Sequence, residues 1–451
     1  MSRYSSYVKR SRFVHHPHKL FLWALTVGFP LLSVRGASFD DNWDTQFGLP
    51  GADGPIYSIV LAGSEVFVGG SFTQIGGTRA TNVAKFDGSN WVALDGGLSG
   101  GIFPVVLALA FWNGELYAAG SFDRADDLPV SRIARWDGDS WKPLGAGVSG
   151  IVRALAVSQA KLAVGGTFTS AGGLPAANIA QWDGTNWSPL GSGVSWPFSG
   201  VAVDSLAAPG CDLYVGGRFR FAGGLPATNI ARWNGTNWSA LGKGLRHYDG
   251  PDTAGNGIVR AMVASHGKVF AGGEFSKAGD ANVSNIAEWD GTNWTALGTG
   301  VGAVYALAAT GSDIFAGGFM SADNHIARWS DGAWSQLGSG IGGGPEGGAV
   351  WALAATGSEL FLGGPFGLAG GKPANYIALW HIPHALNIRQ AQGDVILSWP
   401  ATGTNFLLEA TSNLGAPNWQ GVSGTPGIVN AQCVVTLPLG PGNQFFRLRR
   451  R

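Results

Sequence analysis

Short apolar runs and turns alternate along this chain in a phrase that returns seven times. "IYSIVLAGSEVFVGGSF" (56–72), "VLALAFWNGELYAAGSF" (106–122), "VRALAVSQAKLAVGGTF" (152–168), "VDSLAAPGCDLYVGGRF" (203–219), "VRAMVASHGKVFAGGEF" (259–275), "VYALAATGSDIFAGGFM" (304–320) and "VWALAATGSELFLGGPF" (350–366) each hold two apolar runs around a turn. Each closes on a Gly-Gly pair, or Ala-Gly in the second copy. An "NIAxWDG" run follows each, with its aromatic at Phe86, Trp136, Trp182, Trp233, Trp289, Trp329 or Trp380. In six copies a "WxxLGxG" run comes next, starting at Trp91, Trp141, Trp187, Trp238, Trp294 or Trp334. Apolar runs this short, bounded by Gly, Asn and Asp, predict strands, four to a unit.

A four-stranded unit that is apolar on both faces cannot stand alone in water, and radial stacking of such units would bury both faces. The pattern therefore predicts an all-β chain whose main body, 37–383, is a seven-bladed β-propeller with four-stranded blades. Asp-Gly or Asn-Gly after the third strand is expected to supply the positive-φ residues of a tight hairpin turn. The seventh unit lacks a fourth strand, because "ALWHIPHALNI" leaves the pattern. "DNWDTQFG", with Asn42 and Trp43, resembles the start of a fourth strand and is expected to close the last blade and remove its edge. Residues 384–451 carry no repeat; "VILSW", "NFLLEAT", "CVVTL" and "QFFRLRRR" read as the strands of a small β-sandwich of fibronectin or immunoglobulin type. The arginines Arg447, Arg449, Arg450 and Arg451 read as a solvated end.

Composition adds to this. Gly at 73 of 451 and charged residues at 13% suit many strands joined by tight turns, and 19 Trp fill mainly the two repeated aromatic positions. Lys plus Arg equals Asp plus Glu at 29 each, with no long charge run, so no nucleic-acid partner is expected. Residues 1–36 differ: a basic start, the apolar "LFLWALTVGFPLLSV" and then small residues predict a secretory signal peptide, a retained anchor being the alternative. No later segment has the length and apolarity of a transmembrane span, so a secreted or cell-surface monomer is expected. Cys211 and Cys433 form neither a disulfide framework nor a metal cluster by spacing and are expected to be buried thiols; no cofactor or metal is expected.

The phrase "GGxFTxAGG…NIAxWDGxxWxxLGxG" resembles the repeats of kelch and galactose-oxidase-like propellers. It is also similar to repeats in large secreted bacterial proteins and in a fungal cortical-marker family involved in bud-site choice. "LSWPATGTNFLLEATSNLGAPNW" with a final "FFRLR" looks like a small domain ending many exported bacterial proteins. The resemblance implies the fold and leaves activity open. The copper chemistry of galactose oxidase does not transfer, because Cys211 in "PGCDLYVGG" matches none of that site's motifs. The W-D-G-x-x-W spacing is not that of a sialidase Asp box, so Asp183 and Asp290 read as turn residues. No nucleophile elbow, zinc-protease helix, P-loop or EF-hand loop is present, and no catalytic residue is assigned.

Spacing points to where a ligand would bind. From the central apolar residue of the first strand to the Gly-Gly pair is ten residues in every copy, and from the third-strand aromatic to the fourth-strand Trp is five. Length varies only in the second-to-third and fourth-to-next-first connections, which share one face of a propeller. The longest, "LRHYDGPDTAGNG", offers His247, Tyr248 and Asp249, and "VSWPFSG" offers Trp196. The second residue of the first strand is Tyr57, Leu107, Arg153, Asp204, Arg260, Tyr305 and Trp351 in turn, so packing does not dictate it. Aromatics beside charged partners suit a glycan or protein ligand. Pairing between neighbours, such as Arg153 with Asp204, would also explain them. The competing class is a carbohydrate-active hydrolase or lyase using Asp204, Asp249 and Asp252.

Overall fold

The computed structural model describes residues 39–44, 47–197, 200–247, 257–320, 324–344, 347–383, 386–391, 393–401, 406–413, 417–430, 432–438, 440, 442 and 444–450. The signal-peptide segment, Tyr248, Asp249 and Asp252 lie outside them. Contacts divide the chain into one unit over Phe39–Pro383 and a second containing His384–Arg451. Among the described residues no helix is long and apolar enough to cross a membrane.

Among its described residues the first unit is all-β, apart from one 3-10 turn at Phe39–Asn42. Its main sheets are antiparallel and follow one another in chain order, six with four strands and a seventh with three. The first strands are Ile56–Ala62, Val106–Trp112, Ile151–Ser158, Ala202–Ala207, Ile258–Ser265, Ala303–Thr310 and Ala352–Ala355. Second strands such as Glu115–Gly120 are buried on both sides, which is why they read as unbroken apolar runs. The core lies between sheets. Trp112, Tyr117 and Ile133 of the second sheet share one cluster with Val152, Leu162, Phe168 and Trp187 of the third. Another cluster joins Ile56, Val66 and Trp91 of the first sheet to Phe361, Ile377 and Leu379 of the seventh.

The repeated Trp at the first or second place of each fourth strand ties successive sheets together. Its indole Nε1 donates to the Leu carbonyl of the preceding "WxxLG" run: Trp141 to Leu94 at 2.9 Å, Trp187 to Leu144 at 2.8 Å, Trp238 to Leu190 at 2.9 Å. Trp294 to Leu241 and Trp334 to Leu297 continue the series. Trp43 extends it with a bond to Leu337 at 3.2 Å. Trp43 also bridges Trp380 of the seventh sheet and meets its ring edge-on at 4.9 Å, much as Trp136 meets Trp141 at 5.4 Å.

The Asn of "NIA" has a backbone duty. Asn82, Asn178, Asn229 and Asn285 all have φ between 62 and 66°, a region that Asn tolerates better than most residues. Asn229 accepts from the Phe219 amide at 3.2 Å and donates to the Leu245 carbonyl at 2.8 Å, joining the end of one strand to the next connection. In the third-to-fourth turns only the glycine of most Asp-Gly or Asn-Gly pairs takes positive φ, as at Gly184 (104°) and Gly291 (103°), which corrects the expectation for both residues. The Asp instead caps the turn. Asp183 Oδ1 accepts from the amides of Thr185 and Asn186 at 2.8 and 2.7 Å, and those bonds hold its carboxyl below the usual carboxylate range.

The second-to-third connections are not loose loops. Among the described residues six of them show a two-residue-per-strand hairpin, for example Ser170–Ala171 with Leu174–Pro175, turned by Gly172 and Gly173 at φ 59 and 81°. In four units the fourth-to-first connection adds a short strand to that hairpin, as Leu98–Ser99 does to Arg124–Ala125.

The second unit has a four-stranded and a three-stranded antiparallel sheet. Val395, Leu397 and Trp399 of the first share a core with Leu408 and Phe446 of the second. Arg447 and Arg449 are not a solvated end: both grip Glu409 on the paired strand, at 2.7 and 2.5 Å, and Arg447 lies 4.3 Å over the Trp419 ring. Burial pushes the Glu409 carboxyl up, but the two guanidiniums outweigh it and hold it low. Cys433 is buried and its thiol is pushed up by that burial, whereas Cys211 is exposed, against expectation.

Candidate functional site

Every first strand must start where its second strand is ending, and there the backbones crowd. The second glycine of each Gly-Gly pair lies under a carbonyl oxygen just before or at that start: an added Cβ would sit 2.1 Å from Ile151 O at Gly166, and 2.1 Å from Ala202 O at Gly217. With that room the first strand bulges. In the first six sheets the register slips across the strand's second residue, between Ile56 and Ser58, Val106 and Ala108, Val152 and Ala154, Val203 and Ser205, Val259 and Ala261, and Val304 and Ala306. The residues so left out of the ladder are Tyr57, Leu107, Arg153, Asp204, Arg260 and Tyr305. In the seventh sheet the equivalent Trp351 directly precedes Ala352–Ala355. A bulge re-aims the side chain that carries it.

All seven of these residues line one cavity of about 540 Å³, with Phe319 and Ala349. The cavity opens at the face on which first strands begin. A narrower space of about 180 Å³ shares Tyr57, Leu107, Arg153 and Trp351 and runs on between Ile59, Leu155, Leu206, Met262 and Leu353.

Around the mouth six of the seven residues associate with a neighbour. Tyr57 and Trp351 stack at 4.9 Å with ring planes 8° apart. The Arg260 guanidinium lies 5.0 Å over the Tyr305 ring and pairs with Glu274 at 2.7 Å. Arg153 Nε stands 3.7 Å from Asp204 Oδ1, while Arg218 Nε binds Asp204 Oδ2 at 3.2 Å. The residues pair with one another, and the pairs together line a single cavity.

The remaining candidates lie elsewhere. Trp196 is half-buried beneath Arg220, whose guanidinium is 5.4 Å from its ring, and His247 offers its carbonyl to the Ser276 hydroxyl. Neither lines the cavity. Phe319 and Ala349 do, and the sequence hid them: Phe319 stands where other units have Ser, Thr, Arg, Glu or Pro and precedes the shortened connection of the sixth unit. Nearby, burial lowers the His325 imidazole, whose Nδ1 accepts from the Met320 amide at 3.2 Å. Among the described residues no cluster of His, Cys, Asp or Glu could hold a metal ion.

No protein-family model and no curated protein matches the chain. Among solved structures, the chain is similar to the computationally designed Ika8 protein at 15% identity, covering 77% of this chain and 94% of that one, with a TM-score of 0.42. It is similar to the WD40 β-propeller domain of Doa1 at 13% identity, covering 74% and 94%, with a TM-score of 0.45. A nidogen/laminin complex matches at 13%, covering 57% and 84%, with a TM-score of 0.33.

Proposed function

We propose that the seven sheets are the blades of a kelch-like propeller, with the segment around Trp43 completing the last, and that the protein is a non-catalytic binding module. Its ligand, a glycan or a protein, enters the mouth walled by the bulge residues. The observation that carries this reading is their convergence: seven positions of unlike chemistry, which packing leaves free, meet at one cavity. Its volume of about 540 Å³ falls within the usual range of ligand sites. The C-terminal unit is a β-sandwich of fibronectin or immunoglobulin type, and the protein works outside the cell as a monomer. Hydrolase or lyase action gains no support from Asp204, whose two oxygens already face Arg153 and Arg218.

A glycan and protein array probed with the full chain tests this. Binding without bond cleavage is expected, with Trp351→Ala weakening it about tenfold or more and Asn186→Ala, on a turn at the opposite face, leaving it unchanged. Product release abolished by Asp204→Asn would turn the reading toward an enzyme.

A further inference from the structure

We infer that the mouth takes a saccharide bearing a carboxylate, an acidic sugar, an inference that rests on the mouth being the binding site. The wall is divided by chemistry. Consecutive sheets three, four and five supply Arg153, Asp204 and Arg260, and consecutive sheets six, seven and one supply Tyr305, Trp351 and Tyr57.

On the charged half, the described lining residues hold two guanidiniums to one carboxylate. Arg260 already has Glu274 as its partner, and Asp204 has its Oδ2 engaged by Arg218 from the neighbouring strand, so Arg153 is the guanidinium left short of a partner. Asp204 Oδ1 stands 3.7 Å from Arg153 Nε, a charge contact too long for a hydrogen bond, and that Nε is buried with no hydrogen-bond partner. A ligand carboxylate beside Arg153 would therefore gain charge-assisted bonds in the geometry that guanidinium favours, with Arg260 on the same wall adding positive charge. On the other half, aromatic faces suit the apolar C–H face of a sugar ring. The cavity's size fits a short saccharide rather than a folded surface.

Calorimetric titration of the full chain with galacturonate and glucuronate, each against its neutral counterpart galactose or glucose, and with a short peptide ending in a free carboxylate, tests this. At least one acid should bind about tenfold or more tightly than its neutral counterpart. Arg153→Met and Arg260→Met should each reduce that preference, while Trp351→Ala should weaken acid and neutral sugar alike. Unchanged melting temperatures would show that the variants fold; Arg153→Met leaves Asp204 its partner Arg218. Equal binding of acid and neutral sugar that still depends on Trp351 overturns the inference and leaves the mouth as the site. Acid binding indifferent to all three substitutions overturns both. Binding of the peptide alone, or of none of these probes, also overturns it.

Discussion

Each Gly-Gly pair serves two neighbours, and the two glycines are not equivalent. An added Cβ on the first would strike a side chain of the next sheet, Val203 Cγ1 at 2.3 Å from Gly165 and Val106 Cγ1 at 2.4 Å from Gly69. A side chain can give way, and Ala119 fills this position in the second sheet with complete burial. An added Cβ on the second would strike backbone oxygen at 1.9–2.3 Å in all seven copies, and there no alanine occurs. Gly166→Ala should thus destabilise by about 1–3 kcal/mol as an overpacking strain, and Gly165→Ala by clearly less. Denaturant unfolding of the two variants checks this, and equal losses would contradict it. The Gly-Gly pair was plain in the sequence, but the bulge it permits was not. Every copy shows the same ten-residue interval, so a constant spacing concealed the irregularity that aims Arg153 or Tyr305.

Among elements, the Trp at the head of each fourth strand was legible because its burden is apolar and periodic. Trp43 could be assigned to the seventh sheet by its Asn-Trp start, and it makes both the indole bond to Leu337 and the edge contact with Trp380. With 2% of its surface exposed, it should cost about 3–5 kcal/mol to replace by Ala. The melting temperature of Trp43→Ala checks this; a shift no larger than that of an exposed side chain would show that the N-terminal segment does not help to hold the seventh sheet. The connection hairpins were not foreseen, though Gly172-Gly173 and Gly223-Gly224 carry the two-residue turn signal. Their flanking strands are only two residues long and too short to show alternation. The partners of Arg447 and Arg449 escaped for another reason: Glu409 lies about forty residues away, and only the register of the two strands makes them neighbours.

At the scale of the whole molecule, one end of the sheets is uniform and the other is not. Third-to-fourth turns repeat the same capped hairpin at Asp87, Asp137, Asp183 and Asp290, all with carboxyls held low by backbone amides. First-strand starts differ in chemistry while six of the seven share one bulged backbone shape, the arrangement of a rigid scaffold that presents variable groups. The Arg153–Asp204 contact could be named from the sequence, but the stack of Tyr57 on Trp351 could not, since the two stand at opposite ends of the repeat array and meet because the first and seventh sheets pack together. The most direct measurement is hydrogen–deuterium exchange of the full chain with and without its strongest array ligand. Protection is predicted where first strands begin, around 56–59, 151–155, 203–206, 258–262, 303–307 and 350–353. Protection confined to the turns at 87–90, 183–186 and 290–293, or to 386–450, would contradict a ligand site at the mouth.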